Sequence, residues 1–231
     1  MNRPGSILGQ ELGWHGDRRV LDNTRRTGQR IGALSAHGIV KRLVNINTGI
    51  DNRYVIKFIK FKQQQVMFKE QPKLKMFRQE VAIGQLPGIE GVGPKIHAWR
   101  LRPDGGEYIM DNVEMGDPGA QTFTYYQIRR KYPGTFNNSI KMALKNFHEI
   151  TGGQHGDLHG ENILFVKHDK SFTIQIIDYG SWKSDSNTSE TLENSKNIVP
   201  IYRLANGRLF RKNQNMITEL LKSRANPLKS K

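Results

Sequence analysis

Apolar residues recur along this chain in two rhythms, and each change of rhythm marks an expected change of element. Residues 1–27 show almost no apolar periodicity. Gly, Arg and Asn dominate, and Arg18-Arg19 and Arg25-Arg26 form two cationic pairs, so a basic, loosely packed arm is expected. From Ile31 the pattern becomes strand-like. Gly38-Ile39-Val40 with Leu43-Val44 predicts one strand, the polar run 45–52 a turn, and 54–61 a second strand. In that second strand Val55, Ile56, Phe58, Ile59 and Phe61 leave few polar positions, which predicts burial on both faces. A helical pattern follows over 63–86, interrupted near Pro72 because proline disfavours helix at the residue before it. Residues 91–94 punctuate the chain, and 95–101 and 107–113 read as strands joined by a Pro-Asp-Gly-Gly turn. Gly116, Pro118 and Gly119 mark a hinge. Beyond it, 139–150 places Ile140, Ala143, Leu144, Phe147 and Ile150 on one helical face, 163–166 and 172–177 read as apolar strands, and 216–222 as a last helix. A strand-rich first half and a helix-containing second half predict an α+β protein.

Composition changes this picture in two ways. Lys and Arg number 36 against 21 Asp and Glu, a formal charge of +15 that favours polyanionic partners: nucleic acid, acidic lipid, acidic protein or nucleotide phosphates. The cations gather in the N-terminal arm, around 60–78, and in the tail 203–231, where eight cations meet one acid. With no cysteine, disulfides, thiolate metal sites and thiol nucleophiles are excluded. No run approaches the roughly 18 to 20 apolar residues needed to span a bilayer, and no apolar leader core opens the chain, so a soluble, intracellular protein without a membrane span is expected.

The chemistry concentrates in His155-Gly156-Asp157-Leu158-His159-Gly160-Glu161-Asn162-Ile163-Leu164 and, beyond a predicted hairpin, Ile176-Ile177-Asp178-Tyr179-Gly180. Two aspartates and an asparagine sit on turns flanking two apolar strands. Oxygen ligands held this way suit a hard cation such as Mg²⁺, which takes one or two carboxylates together with substrate phosphates, and the remaining carboxylate is free to orient a nucleophile.

These segments resemble the catalytic loop and metal-binding motif of the protein kinase superfamily, His-x-Asp-Leu-x-x-x-x-Asn followed by Asp-x-Gly. The His-Gly-Asp-Leu-His form is closer to small-molecule phosphotransferases and atypical kinases. The resemblance implies a bilobal kinase-like fold over residues 28–231, with a small antiparallel-sheet N-lobe at about 28–113 and a reduced, mainly helical C-lobe at about 114–231. It implies ATP and Mg²⁺ as cofactors. Asp157 would accept the acceptor's hydroxyl proton, Asn162 and Asp178 would hold metal, and His155 and Tyr179 would pack. Val55-Ile56-Lys57 resembles the strand lysine that pairs with the α- and β-phosphates, and Glu80 its helical partner. Residues 31–40 resemble a nucleotide-covering glycine loop, with Ile31, Gly32, Gly38 and Val40 near nucleotide, although Ser35 replaces the central glycine and Gly32 comes one residue early. Asp111 to Val113 would offer backbone groups to adenine. His159 stands where protein kinases place a lysine near the γ-phosphate; a phosphate contact and a loop-holding role are both open to it. Gly84 replaces a usually bulky position, and no Ala-Pro-Glu follows Gly180, so the peptide-positioning part of the C-lobe is short or absent.

The implied activity is transfer of the γ-phosphoryl of ATP to a hydroxyl, Ser or Thr of a protein, with an acidic or nucleic-acid-associated protein favoured by the charge. Two alternatives stand beside it. One is a small-molecule phosphotransferase of the aminoglycoside or choline kinase type, which the basic tail disfavours because cationic substrates need an acidic wall. The other is a basic module in direct contact with nucleic acid on a vestigial kinase fold, against which the intact Lys57, Asp157, Asn162 and Asp178 argue.

Overall fold

The computed structural model of the chain describes residues 8–35, 38–49, 53–61, 72–113, 119–132, 135–169 and 171–183. The expected helix at 216–222, the first half of the 63–86 helix, Gly116 and Pro118 of the hinge, and the basic tail lie outside the described residues. The chain is α+β and divides into two compact units, Met1–Phe77 with Lys95–Pro118, and Arg78–Pro94 with Gly119–Lys231.

The first unit is built on a six-stranded antiparallel sheet. Its strands are β1 (His15–Gly16), β2 (Thr24–Ser35), β3 (Gly38–Asn45), β4 (Tyr54–Lys60), β5 (Ile96–Arg102) and β6 (Gly105–Asp111), in the order β1-β5-β6-β4-β3-β2. β4 and β6 are central, and β4 is rich in β-branched and aromatic residues, which suit a pleated surface. The predicted turn is tighter than its four residues suggest. Arg102 pairs with Gly105, so Pro103 and Asp104 alone make the turn and both glycines already belong to β6. Gly106 has to be glycine because a Cβ there would meet the Phe77 ring at 2.5 Å.

Residues 8–27 depart from the expected loose arm. A 3₁₀ turn (Leu8–Gln10), β1 and a short helix α1 (Arg18–Asn23) lie against the sheet, and Leu8 and Leu21 are fully buried in one cluster with Leu43, Ile56, Ala98 and Ile109. Asp17 caps α1 by accepting from the Arg19 amide at 2.8 Å. The segment is too short of apolar residues to show a period, but the few it has, spaced by polar ones, fall on a face that β3 to β6 offer.

That face also buries a carboxylate. Glu107, 3% exposed, accepts from Arg26 through both oxygens (3.1 and 2.9 Å), from Arg100 Nε at 2.7 Å and from Arg102 Nη1 at 3.2 Å. Arg26 and Arg100 reach on to Glu11, at 3.1 and 2.6 Å, and Arg100 lies over the Trp14 ring at 4.9 Å, which ties the N-terminal segment to the sheet. Burial alone would push the Glu107 carboxyl up, but the hydrogen bonds and charge of Arg26, then those of Arg100, hold it below its ordinary value.

The second unit carries an antiparallel sheet in the order β7-β8-β9, formed by β7 (Gln121–Thr124), β8 (Ile163–His168) and β9 (Ser171–Ile176). Its helices are α3 (Tyr125–Lys131), α4 (Asn137–Thr151) and the end of α2 (Pro72–Gly84), which begins at proline where a missing N–H costs nothing. On α4, Ile140, Leu144 and Phe147 are buried and Ala143 and Ile150 pack beside them, as the 3.6-residue period requires. The same core takes in Leu158, Ile163, Phe165, Ile176 and Tyr179. β7 and α3 are absent from the sequence expectations. Their one local signal is a capping box, in which Thr124 and Gln127 satisfy each other's amides at 2.8 and 3.4 Å.

Two measurements test this arrangement. Leu21→Ala should lower unfolding stability by about 2–5 kcal/mol in denaturant titration, the cost of a core leucine, whereas a loose arm would give a change near zero. Glu107→Gln should cost about 3 kcal/mol at pH 7, the low end for breaking a buried pair because Arg102 is 41% exposed. Because the folded Glu107 titrates below its ordinary value of 4.5, its contribution is present above that value and is lost as the pH falls through the folded one. The gap between wild type and variant should therefore close on acidification, and a gap of constant size from pH 7 to pH 3 would contradict the network.

Candidate active site

The candidate site in the second unit begins where α4 ends. Gly152 closes the helix in the left-handed region (φ 68°), its N–H bonded to the His148 carbonyl at 2.8 Å. The chain then turns back through Gln154, which exchanges two backbone hydrogen bonds with Lys183, both 2.9 Å. His155 is fully buried between the Phe147 and Tyr179 rings, at 5.8 and 6.4 Å between centroids. Its Nε2 lies 2.7 Å from the Ile177 carbonyl. A carbonyl can only accept, so Nε2 carries the proton and fixes the tautomer. His155 thus packs, as expected, and also holds the residue before Asp178.

Gly156 sits at φ +79°, and a Cβ there would fall on the Ser181 carbonyl oxygen, so only glycine lets the two turns pass this closely. Asp157 is half-exposed, while the next side chain, Leu158, is buried in the core and anchors the loop beneath it. Asn162, 5% exposed, joins everything: its Nδ2–H donates to the Asp157 carbonyl at 2.8 Å, its backbone N–H to the His159 carbonyl at 3.0 Å, and its own carbonyl accepts from the Ile177 N–H at 3.0 Å. The amide orientation is set by that first bond, which leaves Oδ1 as the side-chain oxygen turned away from it.

Asp178 follows β9 with φ 69° and ψ 60°, the one non-glycine residue among the described residues with a positive φ. This conformation costs an ordinary L-residue about 1–2 kcal/mol, and aspartate tolerates it better than most. Bonds on either side enforce it: Ile176 N–H to the Val92 carbonyl at 2.8 Å, Ile177 to Asn162, and Trp182 N–H to the Tyr179 carbonyl at 3.1 Å. Strain held in place this way at a carboxylate is typical of functional turns. His159 spends Nδ1 on the Glu161 amide at 3.3 Å, so it holds the loop and has only Nε2 left for a phosphate.

The carboxylate of Asp178 and the amide oxygen of Asn162 are hard donors that fit Mg²⁺. Among the described residues no group of three His, Asp or Glu side chains is placed to hold a metal by itself.

In the first unit, Lys57 lies mid-β4, 6% exposed, between Val40 and Tyr108 on neighbouring strands, with its ammonium 5.7 Å from the Tyr108 ring centroid. Ile31 and Val40 pair across β2 and β3, the two arms of a hairpin whose residues 36–37 lie outside the described residues. Gly32 lies on β2. Gly38 is required at its position, since a Cβ would meet the Phe58 carbonyl at 2.6 Å. Glu80 is buried on α2 and belongs to the second unit.

Asp111 plays a part the sequence did not suggest. Its carboxylate takes the His97 ring at 2.7 Å and the Lys95 amide at 3.2 Å, and its own N–H goes to the Lys95 carbonyl at 3.0 Å. The Asn112 N–H is likewise given to Arg53 at 2.6 Å. The Asp111 amide is spent on the β5 side of β6 and the Asn112 amide on the β4 side, at the residues just before those two strands; Asn112 and Val113 lie past the end of β6.

Sequence reasoning also missed Glu107. A glutamate between apolar strand residues, opposite an Arg-x-Arg across a two-residue turn, was the available signal. No protein-family model matches the chain, and no curated protein matches it.

Proposed function

We propose that this chain is an ATP- and Mg²⁺-dependent phosphotransferase of the protein-kinase type, transferring the γ-phosphoryl group to a hydroxyl, Ser or Thr of a protein. On this reading residues 28–113 correspond to a kinase N-lobe and 114–231 to a reduced C-lobe; the two compact units follow that division except that Arg78–Pro94 groups with the second. What carries it is Asn162: one residue binds the Asp157 carbonyl with its side chain and the Ile177 amide with its backbone, so the base-bearing loop and the turn bearing Asp178 are held as one assembly.

The half-exposed Asp157 orients the acceptor hydroxyl and takes its proton, the role that its rigid loop and exposure suit. Lys57, inside an apolar strand, supplies a fixed positive charge for the α- and β-phosphates. Asn162 Oδ1 and the Asp178 carboxylate would hold Mg²⁺, which when bound neutralises charge on the phosphate oxygens. The +15 formal charge favours an acidic or nucleic-acid-associated protein as acceptor, because it raises the local concentration of anionic partners and repels cationic compounds.

Asp157→Asn should retain nucleotide binding and lose about 10²- to 10⁴-fold of the transfer rate, measured as labelled phosphate moved from ATP to an acidic protein such as casein. Transfer at the wild-type rate would remove Asp157 from the role of base. Efficient labelling of aminoglycosides or choline with no protein labelled would replace the acceptor class with a small molecule.

Asp178→Asn and Asn162→Asp change the ligand charge around a hard cation in opposite directions. Each should move the Mg²⁺ concentration that gives half-maximal transfer by about tenfold or more, or shift the preference towards another divalent ion. Metal titrations that overlay the wild-type curve would separate these residues from metal binding.

A further inference from the structure

The first unit contains a pocket of about 240 Å³ on the face of its sheet opposite Lys57. Ile56 and Phe58 alternate with Lys57 along β4, so their side chains line the other face, and Ile39, which pairs with Phe58, lies beside them. These three residues make an apolar floor. Around it stand Arg26, Lys41 and Arg102 and the carboxylates of Asp104 and Glu107, three positive charges against two negative ones.

The two carboxylates are already engaged. Glu107 is held by Arg26, Arg100 and Arg102, and Asp104 by Arg102 Nε at 3.2 Å. Lys41 is exposed, and among the described residues its ammonium meets no carboxylate. One positive charge therefore remains uncompensated at the rim of an apolar hollow. Arg102 lies over the Phe58 ring at 5.8 Å, so a planar guanidinium and an aromatic face stand side by side.

We propose that this pocket is a ligand site for a monocarboxylate that carries a compact apolar or aryl group. The volume falls below the roughly 300–1,000 Å³ of drug-sized sites, which limits the occupant to a fragment of that kind. The aryl or alkyl body would cover Ile39, Ile56 and Phe58, and the carboxylate would meet Lys41 and Arg102. A single negative charge neutralises the lining. A phosphate dianion would leave a net negative charge in a part-buried space beside Glu107 and Asp104, which costs more than it gains. The same chemistry is offered by a free arylalkanoic acid and by the terminal carboxylate of a peptide ending in an apolar residue. The site does not depend on the phosphotransfer reading, since it uses none of the residues assigned there.

The test is calorimetric titration of the full chain with 3-phenylpropionate at low and physiological salt. Binding should be saturable below millimolar concentration. The neutral 3-phenylpropanamide and the variant Lys41→Glu should each weaken it about tenfold or more, a change of about 1.4 kcal/mol. Phe58→Leu should weaken the aryl acid more than it weakens butyrate. Lys41→Glu should leave thermal unfolding and phosphate transfer as in wild type, which separates loss of the ligand site from loss of the fold. An N-acetylated peptide ending in Phe with a free carboxylate then distinguishes the sources: binding tighter than the acid assigns the site to a chain terminus, and weaker binding to the free acid. Equal binding of acid and amide, wild-type affinity in Lys41→Glu, or no saturable heat at millimolar acid would overturn the proposal.

Discussion

A carboxylate in the middle of a buried strand is tolerated only if every lone pair is met and its charge is balanced, and Glu107 imposes that condition on the whole first unit. Its partners come from β2 and β5, strands far apart in the sheet order, so they can converge only if the sheet is assembled with this register. Arg26 and Arg100 then have donors to spare, and Glu11 uses them, which draws the N-terminal segment over the same face. Leu8 and Leu21 follow into the cluster that the sheet would otherwise leave open. Charge and apolar burial thus point to one arrangement, and the pocket beside Phe58 is the space left at the rim of that network.

The second unit solves a different problem, that of holding polar groups exposed on a rigid frame. Several residues of the 155–162 loop are sunk into the core: His155, Leu158 and Asn162 are buried while Asp157 and His159 remain accessible. The two polar buried members have a second task, His155 on the Ile177 carbonyl and Asn162 on both loops. Asp157 stays half-exposed on this base. Asp178 gives up a relaxed backbone for position, and the bonds from Val92 and Asn162 to β9 and its exit offset that cost.

The candidate site was legible because its signals are local. Asp157, Asn162 and Asp178 lie within 22 residues, on turns bounded by apolar strands that alternate or run unbroken, and the β8–β9 hairpin follows from them. What was not legible is how backbone groups are spent. The resemblance implied that Asp111 to Val113 offer backbone groups to adenine; the amides of Asp111 and Asn112 are given to Lys95 and Arg53, because where a strand stops pairing depends on its neighbour rather than on its own sequence. His159 was open between two roles, and the Glu161 amide settles Nδ1 on the loop.

By itself the sequence determined the elements whose period or punctuation is contained within about ten residues: α4 with its apolar face, the strands β3 to β6 to within about two residues, a turn at Pro-Asp-Gly-Gly whose two glycines the structure assigns to β6, and the two polar turns of the candidate site. The tertiary structure alone decided that residues 8–23 send Leu8, Val20 and Leu21 into the core rather than forming a loose arm, and that Glu107 is buried with three arginines. The physical reason is the range of the forces involved. Periodicity and glycine or proline geometry act between near neighbours, whereas burial of Leu21 and neutralisation of Glu107 need surfaces and charges that only the assembled sheet brings together.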